Sequence, residues 1–293
     1  MIIPISWRTC LAGPRMRVVT CAAAACLVGL GAAAVPAGAS AGSATGLFRS
    51  AAMRRFLASR HGNITAAVDD LTTGQEFLYR PGVHEETASI VKAAILATLL
   101  HRTQRRSLTA SERATARGMI EASDNNDATR LWNEDGGSAG VGAFLRAAGL
   151  RQTTFAGPGL WGLTRTTPID QIRLLRTIVL PNRLLRASAR SYELGLMSHV
   201  IGMDYWGVSG GIPPGVPVAL KDGWLPQPGI AWQINSIGEV RGNGEHYLIA
   251  VMTNGNGSER YGISTISGIS RIIWRELAPI IAGPEVVVRG AVP

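Results

Sequence analysis

The sequence predicts an α/β protein of the α+β kind. One five-stranded antiparallel sheet, built from both ends of the chain and flanked by helices, accompanies an all-helical lobe. Three observations predict this. Strand patterns occur twice near the start, at 64–70 and 76–79, and three times near the end, at 218–224, 232–237 and 247–253. Helical patterns occupy the middle. Five strands divided in this way are buried most economically in a single antiparallel sheet, and ligand sites favour the boundary with a second lobe.

Taken in order, residues 47–60 carry apolar side chains at Leu47, Phe48, Ala51, Ala52, Phe56 and Leu57, a helical stripe. The first two strands are joined by Thr72-Thr73-Gly74, a hairpin turn. A helix entered through Thr87-Ala88-Ser89-Ile90-Val91-Lys92 follows. Thr109-Ala110-Ser111-Glu112 has the capping-box pattern and opens a helix running to about Ala122. The polar cluster Ser123-Asp124-Asn125-Asn126-Asp127 stops it, and a short helix continues through Leu131 and Trp132. Residues 141–148 form a helix closed by Gly149. Thr167-Pro168 starts another, with threonine as cap and proline in the first turn, and one more spans 192–200. A Gly/Pro linker at 210–217 leads into the three late strands, and an amphipathic helix at 263–277 ends the fold.

The first forty residues stand apart. Arg15 and Arg17 precede an apolar, alanine-rich run at 18–35, followed by small residues at Ala37-Gly38-Ala39 and Ala39-Ser40-Ala41. This is a secretory signal with a small-residue cleavage site, and Met16 is the expected start. The predicted organisation is a signal peptide at 1–41, a domain at 42–280 and a tail at 281–293. Within the domain, the sheet lobe takes 47–90 and 215–280, and the helical lobe takes 91–214. All three cysteines (Cys10, Cys21, Cys26) lie in the leader, so the exported protein has no disulfide. Lipidation at Cys26 is disfavoured by the four alanines before it and by the apolar run continuing past it. Removing the leader's three arginines lowers the net charge from +9 to +6, from 26 basic and 20 acidic residues. The arginines are scattered and no basic stripe alternates with aromatics, which argues against nucleic acid. Attraction to anionic wall polymer or membrane surface is the milder inference.

The chain holds two lysines, Lys92 and Lys221, against twenty-seven arginines. Arginine stays protonated in proteins, whereas a buried lysine can lose its proton and act as a base. From 92 to 100 the only polar side chains are Lys92 and Thr98, so this helix is expected to be buried nearly all round. Ser89 precedes Lys92 by three residues and shares its face, which makes it a candidate nucleophile. Downstream, Ser123-Asp124-Asn125 closes a helix and Lys221-Asp222-Gly223 lies in a strand, where the glycine admits close backbone approach. Singly, the first is a helix stop and the second an edge-strand charge. Together they capture both lysines of the protein.

In this order the three segments resemble the motifs of the serine β-lactamase and penicillin-binding superfamily, class A above all. Ser89-Ile90-Val91-Lys92 looks like the first motif, Ser123-Asp124-Asn125 the second and Lys221-Asp222-Gly223 the third. The likeness covers residues 47–277 in element order. It implies that Ser89 is acylated, that neutral Lys92 takes its proton, and that Ser123 relays a proton to the leaving nitrogen. Asn125, Lys221, Asp222, Gly223 and Trp224 would bind substrate, with the Ser89 and Trp224 N–H groups as oxyanion hole. No cofactor and no metal is implied. The expected partner is a small β-lactam or a peptide-like cell-wall amide, met by a secreted monomer.

Departures from that pattern matter. No Asp or Glu occurs from 136 to 169, where class A places the glutamate that activates the deacylating water. An ionised Asp222 would repel a substrate carboxylate, and Arg241 is the remaining candidate to attract one. The span between the first two motifs is short for class A. Gly207-Val208-Ser209-Gly210-Gly211 fits a nucleophile elbow, but Ile212-Pro213-Pro214 forbids the helix that must follow. The five histidines lack metal spacing. Trp161, Trp206 and Trp224 are candidates to line the cleft. The expected activity is therefore acyl-enzyme formation with slow hydrolysis. The alternative is a non-catalytic or D-Ala-D-Ala-type penicillin-binding or sensing protein of the same fold.

Overall fold

Period-two alternation in the late strands decides the layering. Leu248, Ala250 and Met252 belong to one apolar core, whereas Tyr247, Ile249 and Val251 belong to another. A sheet with a core on each face is buried on both sides. The computed structural model describes residues 46–277 apart from Pro228 and Ile230. The expected signal peptide at 1–41 and tail at 281–293 lie outside the described residues.

The described chain forms α1 (Ala51–Ala58), β1 (Asn63–Asp70), β2 (Gln75–Tyr79), β3 (Glu85–Glu86), α2 (Val91–Thr103), α3 (Ala110–Glu121), α4 (Asn125–Glu134) and α5 (Gly137–Ala147). Then follow β4 (Arg165–Thr166), α6 (Pro168–Val179), α7 (Ala187–Met197), β5 (Val218–Gln227), β6 (Ala231–Gly242), β7 (Glu245–Asn256) and α8 (Glu259–Leu277). The five-stranded antiparallel sheet runs β2-β1-β7-β6-β5, so strands from both ends of the chain meet where β1 pairs with β7. A second, two-stranded pairing of β3 with β4 was not readable from the sequence. Each of its strands has only two residues, too short for any periodicity.

Helices α1 and α8 supply one core, with Met53, Ile266, Ile269 and Ile273 buried against the sheet. The opposite core joins Leu248 and Ala250 to Ile172 and Leu175 of α6 and to α2. Helix α2 is buried from Val91 to Leu100, as its composition predicts. The stripe at 47–60 divides into a 3-10 turn (Leu47–Arg49) and α1, because Ser50 caps α1 by accepting the Met53 N–H. Helix α7 starts five residues before its predicted beginning.

The capping box at α3 forms in full. Thr109 Oγ1 accepts the Glu112 N–H at 3.1 Å, and Glu112 Oε2 accepts the Thr109 N–H at 2.8 Å. We expect Thr109→Ala to destabilise the protein by about 1 kcal/mol, measured as a lower urea midpoint. An unchanged midpoint would refute a contribution from this cap.

Candidate active site

The position of Ser89 is set by a turn and a helix. Ser89 lies in a 3-10 turn (Ala88–Ile90) that feeds directly into α2, and its side chain is half-buried. Ala88 has φ 47°, the left-handed region that a non-glycine residue occupies only under strain. Asn235 of β6 holds this turn, its Nδ2 donating to Glu86 O at 2.7 Å and Thr87 O at 2.9 Å. On the other side, Thr87 N donates to Thr164 O at 2.7 Å. Strand β5 then passes very close. A Cβ built on Gly223 would lie 2.6 Å from Ser89 N and 2.8 Å from Ile90 N. Only glycine allows that approach.

The second segment arrives at the junction of α3 and α4. Asp124 caps α4 by accepting the Asp127 N–H at 2.8 Å, which makes Asn125 the first residue of that helix. Ser123, with φ 52°, is the link between the helices. Both its backbone and its side chain turn toward Lys92. Lys92 Nζ donates to Ser123 O at 2.5 Å, to Ser123 Oγ at 3.1 Å and to Asn125 Oδ1 at 2.8 Å. From β5, Lys221 Nζ also reaches Ser123 Oγ at 3.1 Å and donates to the Asp222 carbonyl at 3.1 Å. One hydroxyl thus bridges the only two lysines of the chain. Among the described residues, no hydrogen bond joins Lys92 to Ser89 Oγ.

Both lysine side chains are fully buried, whereas Ser89 and Ser123 are half-buried. Burial, reinforced by the charge of Lys221, lowers the Lys92 ammonium to about 7. Lys221 is also lowered by burial, against the pull of Asp222 and Asp204. Desolvation always opposes the charged form, and a like charge nearby adds to it.

Asp222 requires a correction. It was expected to stand ionised in the site and repel a carboxylate. Its side chain is fully buried, with Oδ2 accepting the Trp206 N–H at 3.4 Å and Ser236 opposite it in register. Burial pushes its carboxyl well above the ordinary value, which disfavours the ionised form and with it the expected repulsion. Arg241 is corrected too. It pairs with His246 near the far end of β6, six residues beyond Asn235, the partner of Gly223. At the rise of an extended strand that is roughly 20 Å away.

Besides Asn235, one group left no mark in the sequence. Asp204, in a 3-10 turn (Gly202–Asp204), is buried; burial raises its carboxyl while Lys221 and Lys92 pull it down. No local pattern marks it, because its relation to the lysines is wholly tertiary. Trp161 stands in the acid-free loop, its ring centroid 5.2 Å from Lys92 Nζ and its Nε1 donating to Thr129 Oγ1 at 3.1 Å. The ring face can therefore stabilise the ammonium form. Trp206 and Trp224 approach each other with centroids 6.2 Å apart. The elbow-like segment is a 3-10 turn (Gly207–Ser209) with no helix after it.

The model of the beta-lactamase enzyme family matches residues 103–277, more than half of the chain. The chain belongs to that family. The matched span includes Ser123, Asn125 and Lys221 and starts after Ser89 and Lys92. The fold is likewise that of class A beta-lactamases. TLA-1 extended-spectrum beta-lactamase superposes with a TM-score of 0.70 at 19% identity, covering 77% of this chain and 96% of its own. The class A beta-lactamase from Mycobacterium abscessus gives 0.66 at 20%, with 76% and 96% covered. A point mutant of PBP-A, described as an acyl-enzyme complex with penicillin G, gives 0.65 at 20%, with 76% and 93% covered. In sequence, the protein named "Putative lipoprotein LppW" of Mycobacterium tuberculosis is 31% identical over 204 residues, 66% of this chain. The match spans 64% of that relative's length.

The close approach at Gly223 has a direct consequence. We expect Gly223→Ala to cost about 1–3 kcal/mol of stability, because the added methyl meets backbone atoms that cannot rotate away. Urea denaturation measures this, and a variant as stable as the parent would contradict the contact.

Proposed function

We propose that this protein is an exported serine hydrolase that forms an acyl-enzyme on Ser89 with β-lactams or related cell-wall amides, and releases it slowly. The observation that carries the reading is the Ser123 hydroxyl held between Lys92 and Lys221 beside the Ser89 turn. A binding protein has no need of a buried lysine whose proton leaves near neutral pH.

In this reading, neutral Lys92 takes the Ser89 proton as Oγ attacks the amide carbonyl. The backbone N–H groups of Ser89 and Trp224 receive the developing oxyanion, each such donor contributing a few kcal/mol. The C–N bond breaks as Ser123 gives its proton to the leaving nitrogen and is resupplied from Lys92. Lys221 holds the Ser123 oxygen during that transfer. Asn125, anchored on Lys92, and the backbone of Gly223 and Trp224 hold the rest of the substrate. Asp222 serves from behind the strand, as a buried partner of Lys221 rather than a substrate contact.

Release is the weak half-reaction. The segment from 136 to 169 carries no carboxylate, and Trp161 stands over Lys92 instead. With no base to activate water there, the ester on Ser89 is expected to persist. The same observation favours a second reading, in which persistent acylation makes the protein a penicillin-binding sensor. The name of LppW supports export of the chain. It also makes Cys26 lipidation the alternative to cleavage after Ala41. Among the described residues, no helix is long and apolar enough to cross a membrane.

Intact-mass spectrometry with a penicillin and a cephalosporin tests the acylation. A persistent adduct that Ser89→Ala abolishes is the expected result. Rapid return to the free mass would contradict slow release, and no adduct with any lactam or D-Ala-D-Ala-like ester would sink the acyl-enzyme reading. The pH dependence follows from Lys92. Its base form dominates above pH 7, so the acylation rate should rise about tenfold per pH unit below that point and level off above it. A rate independent of pH from about 5 to 9 would rule out Lys92 as the base.

A further inference from the structure

A groove of about 530 Å³ opens between the C-terminal end of α2, the turn that follows it, and the first turns of α3 and α7. Its volume is in the range of small-molecule sites. Its lining holds four arginines (Arg105, Arg106, Arg113 and Arg186) and no acid. The groove is remote from Ser89. Thr103, on its wall, lies eleven residues beyond Lys92 along α2, roughly 16 Å at the rise of an α-helix.

The four guanidinium groups are not equivalent. Arg106 is neutralised by Glu112 through two bonds of 2.7 and 2.6 Å, and Arg113 donates to the Leu108 carbonyl. Arg105 and Arg186 are exposed, and neither side chain has a hydrogen-bond or ion-pair partner among the described residues. Both also line an adjoining depression with His101 and Arg102, so they stand between two basic hollows. Compensation of the α2 dipole accounts for part of this charge. It does not account for Arg113 or Arg186, which come from other parts of the chain. The first turn of α7, which carries Ser188 into the groove, has no acidic residue to offset its positive end.

We propose that this groove is a binding site for phosphate-bearing anions, with Arg105 and Arg186 as the principal ligands. Planar guanidinium forks match phosphate oxygens in pairs, and the Ser107 and Ser188 side chains in the same lining add hydroxyl donors. Its volume admits a ligand with several phosphates. An exported protein of this charge meets such ligands as soluble polyphosphates or as anionic lipid headgroups.

The test is calorimetric titration of the protein with inorganic tripolyphosphate at fixed ionic strength. R105Q/R186Q is compared with R54Q/R55Q, which removes the same charge from exposed positions on α1. Saturable binding is expected, weakened at least about tenfold by R105Q/R186Q and unchanged by R54Q/R55Q. No saturable binding, or equal weakening by both pairs, overturns the proposal. Sedimentation with phosphatidylglycerol–phosphatidylcholine vesicles separates the sources. Retention that tripolyphosphate displaces assigns lipid headgroups, and tripolyphosphate binding without retention assigns soluble phosphates. Vesicle retention that survives R105Q/R186Q, with no tripolyphosphate site, also overturns it. Thermal melting of both variants verifies that each is folded.

Discussion

Two ammonium groups buried around one hydroxyl impose the main electrostatic constraint on this structure. Lys92 and Lys221 are withdrawn from water and share Ser123 Oγ, each at 3.1 Å. Desolvation and mutual repulsion both disfavour the doubly charged state. The protein answers in two ways. It lets Lys92 fall to about 7, and it brings buried carboxyls, Asp204 and Asp222, near enough to Lys221 to favour its charged form. Those carboxyls are themselves raised by burial. The result is a compact group of four titratable side chains sharing few charges, which suits proton relay at neutral pH.

The backbone is committed to the same place. Ala88, the residue before Ser89, and Ser123 both adopt positive φ without being glycine. Such conformations persist only when the surroundings over-determine them. Here they do: Asn235 bonds the carbonyls before Ser89, the Thr164 carbonyl accepts from Thr87, and Gly223 brings β5 onto the Ser89 backbone. The backbone around Ser89 is therefore held from three sides. The segment 136–169 is different: it carries no acid, and the Trp161 indole stands over Lys92. The proposed asymmetry between forming and releasing the acyl group rests on that segment.

Much of the fold was legible because its strands alternate cleanly and its helices carry explicit caps. Thr109, Thr167 and Asp124 each accept a bond from the first turn of their helix. The miniature β3–β4 pairing and the early start of α7 were not legible, because two-residue strands and an arginine N-cap leave no pattern. Among site residues, Ser89, Lys92, Ser123, Asn125, Lys221 and Gly223 converge as their spacing suggested. Asp204 and Asn235 were silent in sequence, one in an irregular turn and the other on a strand that carries several polar residues, Gln233 and Ser236 among them.

What the sequence determined by itself was the chemical inventory. It confined lysine to two positions, kept carboxylates out of one loop, and placed glycine after the second lysine. These are properties of residue identity, and no folding is needed to read them. What only the tertiary structure decided was ionisation and distance. The Asp222 carboxyl is raised because β6 and the 202–209 turns shut it from water, Arg241 is remote because β6 runs away from the site, and Trp161 meets Lys92 across 69 residues of chain. Electrostatic energy depends on separation and solvent access. Both are set by contacts between segments far apart in the chain, which local sequence does not encode.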